Sequence, residues 1–173
     1  MAIEFFRIEW TKLYPFDKAL NQPEAKEGGV YALYKSVGGN KKLHYVGKSK
    51  DFTTRFGFHR QNTAHILSEA ERKKCYVSFG LISSFEKSRM SSDVLPEQLR
   101  DTENFLINTL LPAGNDSSTK KGYKGNCIII INHGKFIQPF KKIMTNNREL
   151  LKTIKENLTA RQTTTYYSSP FSF

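Results

Sequence analysis

Hydrophobic and polar positions along the chain alternate in short blocks that are typical of β-strands separated by turns. Segments rich in β-branched and aromatic residues and bounded by glycine, asparagine or serine predict strands. Gly38, Gly39 and Asn40 predict a hairpin turn between two such segments, because these residues adopt positive φ at little cost. A short strand or a loop covering the core is expected at residues 5–10. The predicted strands are residues 30–35, 42–46, 76–82, 127–131 and 136–140, and the last two are expected to pair as a hairpin.

Other parts of the chain carry apolar residues at helical spacing. Leucines spaced three to four positions apart indicate a helix over residues 95–111, and Pro112 ends it. Asp51 is the predicted N-cap of a helix that begins at Phe52, because its carboxylate accepts hydrogen bonds from otherwise unpaired amides. Further helices are predicted at residues 63–74 and 147–159.

These elements predict an α+β fold in a single domain of residues 1–173. The expected centre is a small three-stranded, mainly antiparallel sheet flanked by helices. Residues 28–116 form the predicted core, and residues 117–161 form an extension that consists of a β-hairpin and a helix. A chain of 173 residues is long enough for one sizeable core and short for two.

The composition excludes several classes of protein. No apolar run approaches the roughly 18–20 residues that a membrane-spanning helix requires. Cys75 and Cys127 lie far apart in the sequence, so neither a disulfide framework nor a zinc site is indicated. The expected location is therefore a reducing cytoplasm, with no membrane partner.

The net charge of +11 is distributed unevenly. Residues 1–116 hold 17 basic and 14 acidic residues, whereas residues 117–161 hold 10 basic and 2 acidic residues, a net of +8. A concentrated basic excess attracts polyanions, since each neutralised phosphate releases counterions. Nucleic acid is thus one expected partner, and simple solubility or an anionic membrane surface are the alternatives. The candidate contacts in this segment are Lys120, Lys121 and Lys124.

Several polar side chains have the chemistry needed to cleave a phosphodiester, which requires an aligned water, stabilisation of negative charge and assistance to the leaving oxygen. Tyr31 and Tyr45 lie on adjacent predicted strands, although cross-strand tyrosine pairs are also ordinary sheet residues. Gly47 leaves room for close approach, and Lys48 follows it as a candidate phosphate contact.

Three further residues extend this set. Arg55 and His59 are four positions apart and share one helix face, which could equally be a solvated surface. Glu103 borders the apolar face of its predicted helix, where a carboxylate is costly unless a cation accompanies it. Asn115 follows that helix and could fix the next loop to the site, or it could be a simple turn residue.

Taken in order, these residues resemble the motifs of the GIY-YIG nuclease family. Gly29-Val30-Tyr31 matches the first motif and Tyr45-Val46-Gly47 matches the second, with valine where the family name has isoleucine. An arginine and a histidine on the first helix, a glutamate on a later helix and an asparagine beyond it follow in the same order. The resemblance covers residues 29–115, with a slightly long interval between the two tyrosines.

The resemblance implies a role for each matched residue. Tyr31 would be a general base or would position water, its phenol acidified by nearby cations, and Tyr45 would position the water or the scissile phosphate. Arg55 would stabilise the pentavalent transition state, and His59 would orient the phosphate or assist proton transfer. Glu103 would hold a single Mg²⁺ or Mn²⁺, whose remaining ligands are water and phosphate oxygen. Lys48 and Asn115 would make supporting contacts with the nucleic acid.

The implied function is a metal-dependent endonuclease that hydrolyses DNA, and RNA remains a possible substrate. The short extension after residue 115 favours a stand-alone restriction, defence or mobile-element nuclease, which would be a homodimer if it cuts both strands. The alternatives are a structure-specific repair nuclease, a nucleic-acid-binding module that does not cleave, or an adaptor whose basic segment binds an acidic partner.

Overall fold

The computed structural model describes residues 3–56, 73–84, 96–115, 123 and 125–167, and for residues 84 and 158–167 it describes the backbone alone. The chain has an α+β fold built on a seven-stranded mixed sheet whose strand order is β4-β3-β5-β1-β6-β7, with the short β2 also paired to β5. The strands are β1 (Ile3–Trp10), β2 (Tyr14–Pro15), β3 (Gly29–Val37), β4 (Asn40–Ser49), β5 (Cys75–Ser84), β6 (Cys127–Gly134) and β7 (Ile143–Thr145).

The three strands predicted for the centre of the fold form one end of this sheet. β3 pairs antiparallel with β4 on one side and with β5 on the other. Gly38 and Gly39 have φ angles of 56° and 81°, which confirms the predicted hairpin turn. The register shifts between Leu33 and Tyr34, so β4 carries one extra residue at that point.

The predicted sheet of three strands is wrong in size, because β1 and β6 complete its other half. β1 pairs antiparallel with β5 and parallel with β6, with Phe6 opposite Ile130. Alternate residues Phe6, Ile8 and Trp10 are buried, so the segment expected as a strand or a covering loop is a central strand. Parallel pairing between segments more than 120 positions apart leaves no local signal in the sequence.

The predicted hairpin partner at residues 136–140 is also wrong. β6 pairs instead with β7, with Ile130 opposite Met144. The intervening segment contains Pro139, which has no N–H to donate to a sheet. Phe140 packs on Trp10 with ring centroids 4.5 Å apart, so the apolar pattern of this segment reflects core packing and not a strand.

Helices cover both faces of the β4-β3-β5 end. Residues 52–56 form the described part of α2, and Asp51 caps it by accepting hydrogen bonds from the N–H groups of Thr53 (2.8 Å) and Thr54 (3.3 Å), as predicted. The helix predicted at residues 95–111 is confirmed as α3 (Pro96–Leu110), and the helix predicted at residues 63–74 lies largely outside the described residues. The remaining described helices are α1 (Phe16–Ala19) and α4 (Arg148–Tyr167), with 3₁₀ turns at Pro23–Lys26 and Ala113–Asn115.

Successive residues of β3 belong to two different apolar clusters, because side chains of a strand alternate between the faces of a sheet. Val30 and Ala32 pack in the cluster that contains Leu106 of α3. Tyr31 and Leu33 pack in the cluster that contains the phenylalanines of α2. The two helices therefore lie on opposite faces of the sheet, and β4 is the edge strand between them. Among the described residues, no helix is long and apolar enough to cross a membrane.

Candidate functional site at the edge of the sheet

Tyr31 and Tyr45 are neighbours on the α2 face of the sheet. Their rings are stacked with centroids 6.0 Å apart and an interplanar angle of 28°. Tyr31 lies opposite Gly47 in the register, and a Cβ atom at Gly47 would collide with the hydroxyl and ring of Tyr31. Gly47 is therefore required so that the phenol of Tyr31 can cross the edge strand.

Arg55 of α2 brings a positive charge to the two phenols. Its Nε donates a hydrogen bond to the Tyr31 hydroxyl at 3.4 Å. Burial by itself would lower the pKa of Arg55, but the hydrogen bonds and charge interactions with Tyr31 and Tyr45 raise it. The guanidinium is thus a fixed cation beside both tyrosines.

Glu103 reaches the same edge from the opposite face. It lies on α3 and forms a short ion pair with Lys48, the residue that follows Gly47. The Glu103 side chain is only 14% exposed, whereas Lys48 is 35% exposed. The carboxylate at the core margin therefore has the cation that its burial requires, and in this structure the cation is a lysine ammonium.

The pKa of the Tyr31 hydroxyl is raised well above its ordinary value. Burial is the largest cause, and the neighbouring Tyr45 and the negative charge of Glu103 act in the same direction, while Arg55 opposes them. The predicted acidification of this phenol is thus not produced by the protein's own charges. At neutral pH Tyr31 is a protonated group that donates or accepts a hydrogen bond.

Asn115 is buried against the edge strand. Its Nδ2 donates to the Val46 carbonyl at 2.8 Å, and its Oδ1 accepts from the Val46 N–H at 2.8 Å. The side chain thus takes the place of a neighbouring strand and fixes the turn after α3 to β4, as the sequence suggested. Because both amide groups are engaged and the residue is 5% exposed, Asn115 supports the site and is not available as the expected nucleic-acid contact.

One neighbour of this turn was not predicted as part of the site. His44, the extra residue of β4, is half-buried, and its ring lies about 3.0 Å from the position of a Cβ atom on Gly114. The strand bulge that places it there depends on cross-strand register, which local sequence does not reveal.

The predicted basic extension lies far from the site where the structure describes it. β6 and β7 occupy the opposite end of the strand order from β4, and α4 contacts β7. With neighbouring strands about 4.8 Å apart, β6 is roughly 19 Å from β4. A mostly apolar groove of about 260 Å³ lies at this far edge, lined by α3, β7 and α4 residues such as Leu110, Met144 and Leu151. The predicted site residues His59, Lys120, Lys121 and Lys124 lie outside the described residues.

The described residues contain no group of three or more histidine, cysteine or acidic side chains that could enclose a metal. Glu103 by itself nevertheless fits a Mg²⁺ or Mn²⁺ ion that keeps most of its water, because Mg²⁺ is commonly held by one or two carboxylates together with substrate phosphate. In this structure the carboxylate is paired with the Lys48 ammonium.

Comparisons of the chain with family models, with curated proteins and with solved structures find no match. Function is therefore inferred from the residues that the fold brings together. These are two stacked tyrosines, an arginine fixed beside them and a half-buried carboxylate paired with a lysine, all at one edge of a sheet.

Proposed function

We propose that this protein is a metal-dependent endonuclease of the GIY-YIG type that hydrolyses phosphodiester bonds in DNA. The observation that carries the proposal is the convergence at β4 of residues that are distant in sequence and lie on different elements. Tyr31 comes from β3, Arg55 from α2 and Glu103 from α3, and the charge of Glu103 is close enough to influence the pKa of Tyr31. Neither stable packing nor helix formation requires this set of polar groups to meet.

The roles of Arg55, Tyr31 and Tyr45 follow from their state in the fold, and the role of His59 is the one that the resemblance implies. Arg55 is a fixed cation and would stabilise the negative charge that develops on the phosphate. Tyr31, which is protonated, would align the attacking water or a phosphate oxygen by hydrogen bonding instead of removing the proton itself. Tyr45 is half-buried and would contact the same water or phosphate oxygen from the side that is open to solvent. His59 would orient the phosphate or accept the proton.

Glu103 would hold the single Mg²⁺ or Mn²⁺. The bound ion would supply charge neutralisation and a more acidic water at the phosphate. Before an ion can bind, Lys48 must release or share the carboxylate, since the two form an ion pair in this structure. Once it has left Glu103, Lys48 would be able to contact a phosphate oxygen of the nucleic acid.

A second candidate function is a nucleic-acid-binding module that does not cleave. The observation that favours it is the same ion pair, because Lys48 occupies the carboxylate that is proposed to hold the metal. The complete burial of Tyr31 also agrees with a structural role for this residue. Cleavage and binding therefore have to be measured separately.

The biological setting belongs to the proposal as well. We propose a cytoplasmic, stand-alone nuclease of a restriction, defence or mobile-element system that acts as a homodimer, with a structure-specific repair nuclease as the alternative. Mapping the cut sites distinguishes these roles: cleavage at one short sequence in both strands supports the first, and cleavage at junctions or flaps supports the second.

The decisive experiment incubates the purified protein with supercoiled plasmid, linear duplex, single-stranded DNA and single-stranded RNA, each with Mg²⁺, Mn²⁺ or EDTA. We expect nicking or linearisation of DNA that requires the metal and is lost in Glu103→Gln and Arg55→Ala. Glu97→Gln is the matched control, because Glu97 is an exposed acid in the first turn of the same helix. Absence of any cleavage in Mn²⁺, or equal cleavage by Glu103→Gln and Glu97→Gln, would overturn the proposal.

A further inference from the structure

A second group of basic residues lies at the turn end of the β3–β4 hairpin. We call it the hairpin-end lysine cluster, and its Lys42, Lys73 and Lys74 are exposed, while Lys35 and Lys41 are half-buried. The backbone N–H of Ser36 donates to the Lys74 carbonyl at 3.0 Å, which joins the turn before β5 to the hairpin. The cluster consists of Lys35, Lys41, Lys42, Lys73 and Lys74.

Two lysines of the cluster occupy positions that are unfavourable for like charges in a β-sheet. Lys35 and Lys42 lie directly opposite each other on β3 and β4, and like charges in that position are destabilising. Residues 29–49 and 73–84, which cover β3, β4, β5 and the turn before β5, contain no acidic residue. A concentration of positive charge at one end of a hairpin attracts a polyanionic partner.

Lys41 shows that the cluster is partly ordered. Its Nζ donates to Ser36 Oγ at 3.1 Å and lies 3.6 Å from the centroid of the Tyr76 ring. An ammonium group has three donors, so a lysine held in this way keeps N–H groups for a phosphate oxygen. Because its side chain is already positioned, Lys41 would lose less conformational entropy on binding than a freely moving lysine.

The position of the cluster relates it to the candidate site. Lys35 follows Tyr31 by four residues along β3, which corresponds to roughly 13 Å, or about four base steps along one DNA strand. The described basic residues of the C-terminal segment lie in the connection between β6 and β7 and on α4, and both strands are at the opposite end of the strand order from β4. A duplex that places a phosphate at Tyr31 and runs along the hairpin would therefore meet the cluster first.

We propose that the hairpin-end lysine cluster binds the sugar–phosphate backbone of duplex DNA on one side of the scissile phosphate, without reading its sequence. The identity of the substrate rests on the proposed nuclease function, whereas the place of binding rests on the charges and the register described above. Among the basic residues that the structure describes, the cluster, and not the lysines and arginine of residues 135–155, would be the main surface for the substrate.

The test measures binding without cleavage, in EDTA, by fluorescence anisotropy of a labelled duplex over a series of salt concentrations. In one variant the exposed cluster residues are changed together, as Lys42→Gln, Lys73→Gln and Lys74→Gln. In the matched variant three exposed far-edge residues are changed, as Lys141→Gln, Lys142→Gln and Lys152→Gln, which removes the same charge from the C-terminal segment. Circular dichroism and thermal unfolding establish that both variants fold.

For the cluster variant, the magnitude of the negative slope of log K against log[salt] should decrease by about 2–3, because each lost phosphate contact reduces that magnitude by about 0.9. The far-edge variant should retain the slope of the unaltered protein. An unchanged slope in the cluster variant, or an equal or larger change in the far-edge variant, would overturn the inference. The plasmid assay is read separately, so a changed slope without any cleavage would refute the nuclease proposal and leave this one standing.

Discussion

The ion pair between Lys48 and Glu103 allows a prediction about the metal site that does not depend on cleavage. Replacing Lys48 by methionine keeps the length of the side chain and removes its charge, leaving a carboxylate that is 14% exposed without its cation. Exposed ion pairs contribute about 0.2–1 kcal/mol, and breaking fully buried pairs costs about 3–5 kcal/mol. Because Lys48 is about one third exposed, we expect the metal-free variant to lose about 1–2 kcal/mol of stability, or roughly 3–6 °C in Tm.

The affinity for metal should increase in Lys48→Met, whereas the stability of the metal-free protein decreases. In the unaltered protein an ion must displace Lys48 from Glu103, and in Lys48→Met this competition is absent. Removal of a competing interaction of about 1–2 kcal/mol corresponds to a roughly five- to thirtyfold lower Kd for Mn²⁺. Added Mn²⁺ should therefore raise the Tm of Lys48→Met more than that of the unaltered protein, since a ligand stabilises the state that binds it.

The assays are thermal unfolding in EDTA and in a Mn²⁺ series, and isothermal titration calorimetry with Mn²⁺. Lys50→Met is the matched control, because Lys50 is an exposed lysine two positions along the chain. Glu103→Gln should abolish the Mn²⁺ response in either background. An equal or weaker Mn²⁺ affinity in Lys48→Met than in Lys50→Met would refute the reasoning that Lys48 occupies the cation position on Glu103.

Three further predictions concern the residues that shape the site. Gly47→Ala should destabilise the protein by about 1–3 kcal/mol in urea unfolding, because its Cβ would collide with Tyr31, and an unchanged midpoint would contradict that packing. Asn115→Ala should cost about 2 kcal/mol, since both backbone groups of buried Val46 lose their partner; a loss below about 0.5 kcal/mol would show that water replaces the amide. Stability should fall as pH rises above the ordinary tyrosine pKa of 10.0, because the folded state retains the proton that the unfolded chain releases, and the fall should be smaller in Tyr31→Phe. Equal pH dependence of the two proteins would show that Tyr31 does not contribute.

The features that local sequence predicted correctly depend on nearby residues alone. The hairpin turn follows from two glycines that have positive φ, and the start of α2 follows from the hydrogen bonds that Asp51 accepts from the next residues. The helix over Pro96–Leu110 follows from leucines at helical spacing and from the proline after it. In each case the energetic preference is decided within a few positions of the chain.

The errors lie where pairing partners are distant. The strand pattern of residues 5–10 was visible, but its place between β5 and β6 depends on a parallel ladder with residues 127–134. The apolar residues of the segment 136–140 suggested a strand, although Phe140 serves to pack on Trp10. Hydrophobic periodicity indicates which face of a segment is buried, but it does not identify the segment that packs against that face.

The order of motifs along the chain identified the candidate residues, and the tertiary structure determines how they meet. Sequence alone placed the two tyrosines on neighbouring strands, because Gly38 and Gly39 mark a hairpin turn. The register that follows from this turn would put Tyr45 opposite Ala32, and only the bulge at His44 brings Tyr45 to the same face as Tyr31. Only the folded chain shows that the Tyr31 side chain packs over Gly47 and that Glu103 forms an ion pair with Lys48 from the other face. It also shows that the Asn115 side chain is hydrogen-bonded to the backbone of Val46. These contacts depend on the packing of two helices on opposite faces of one edge strand, and the pKa of Tyr31 follows from the burial that this packing creates.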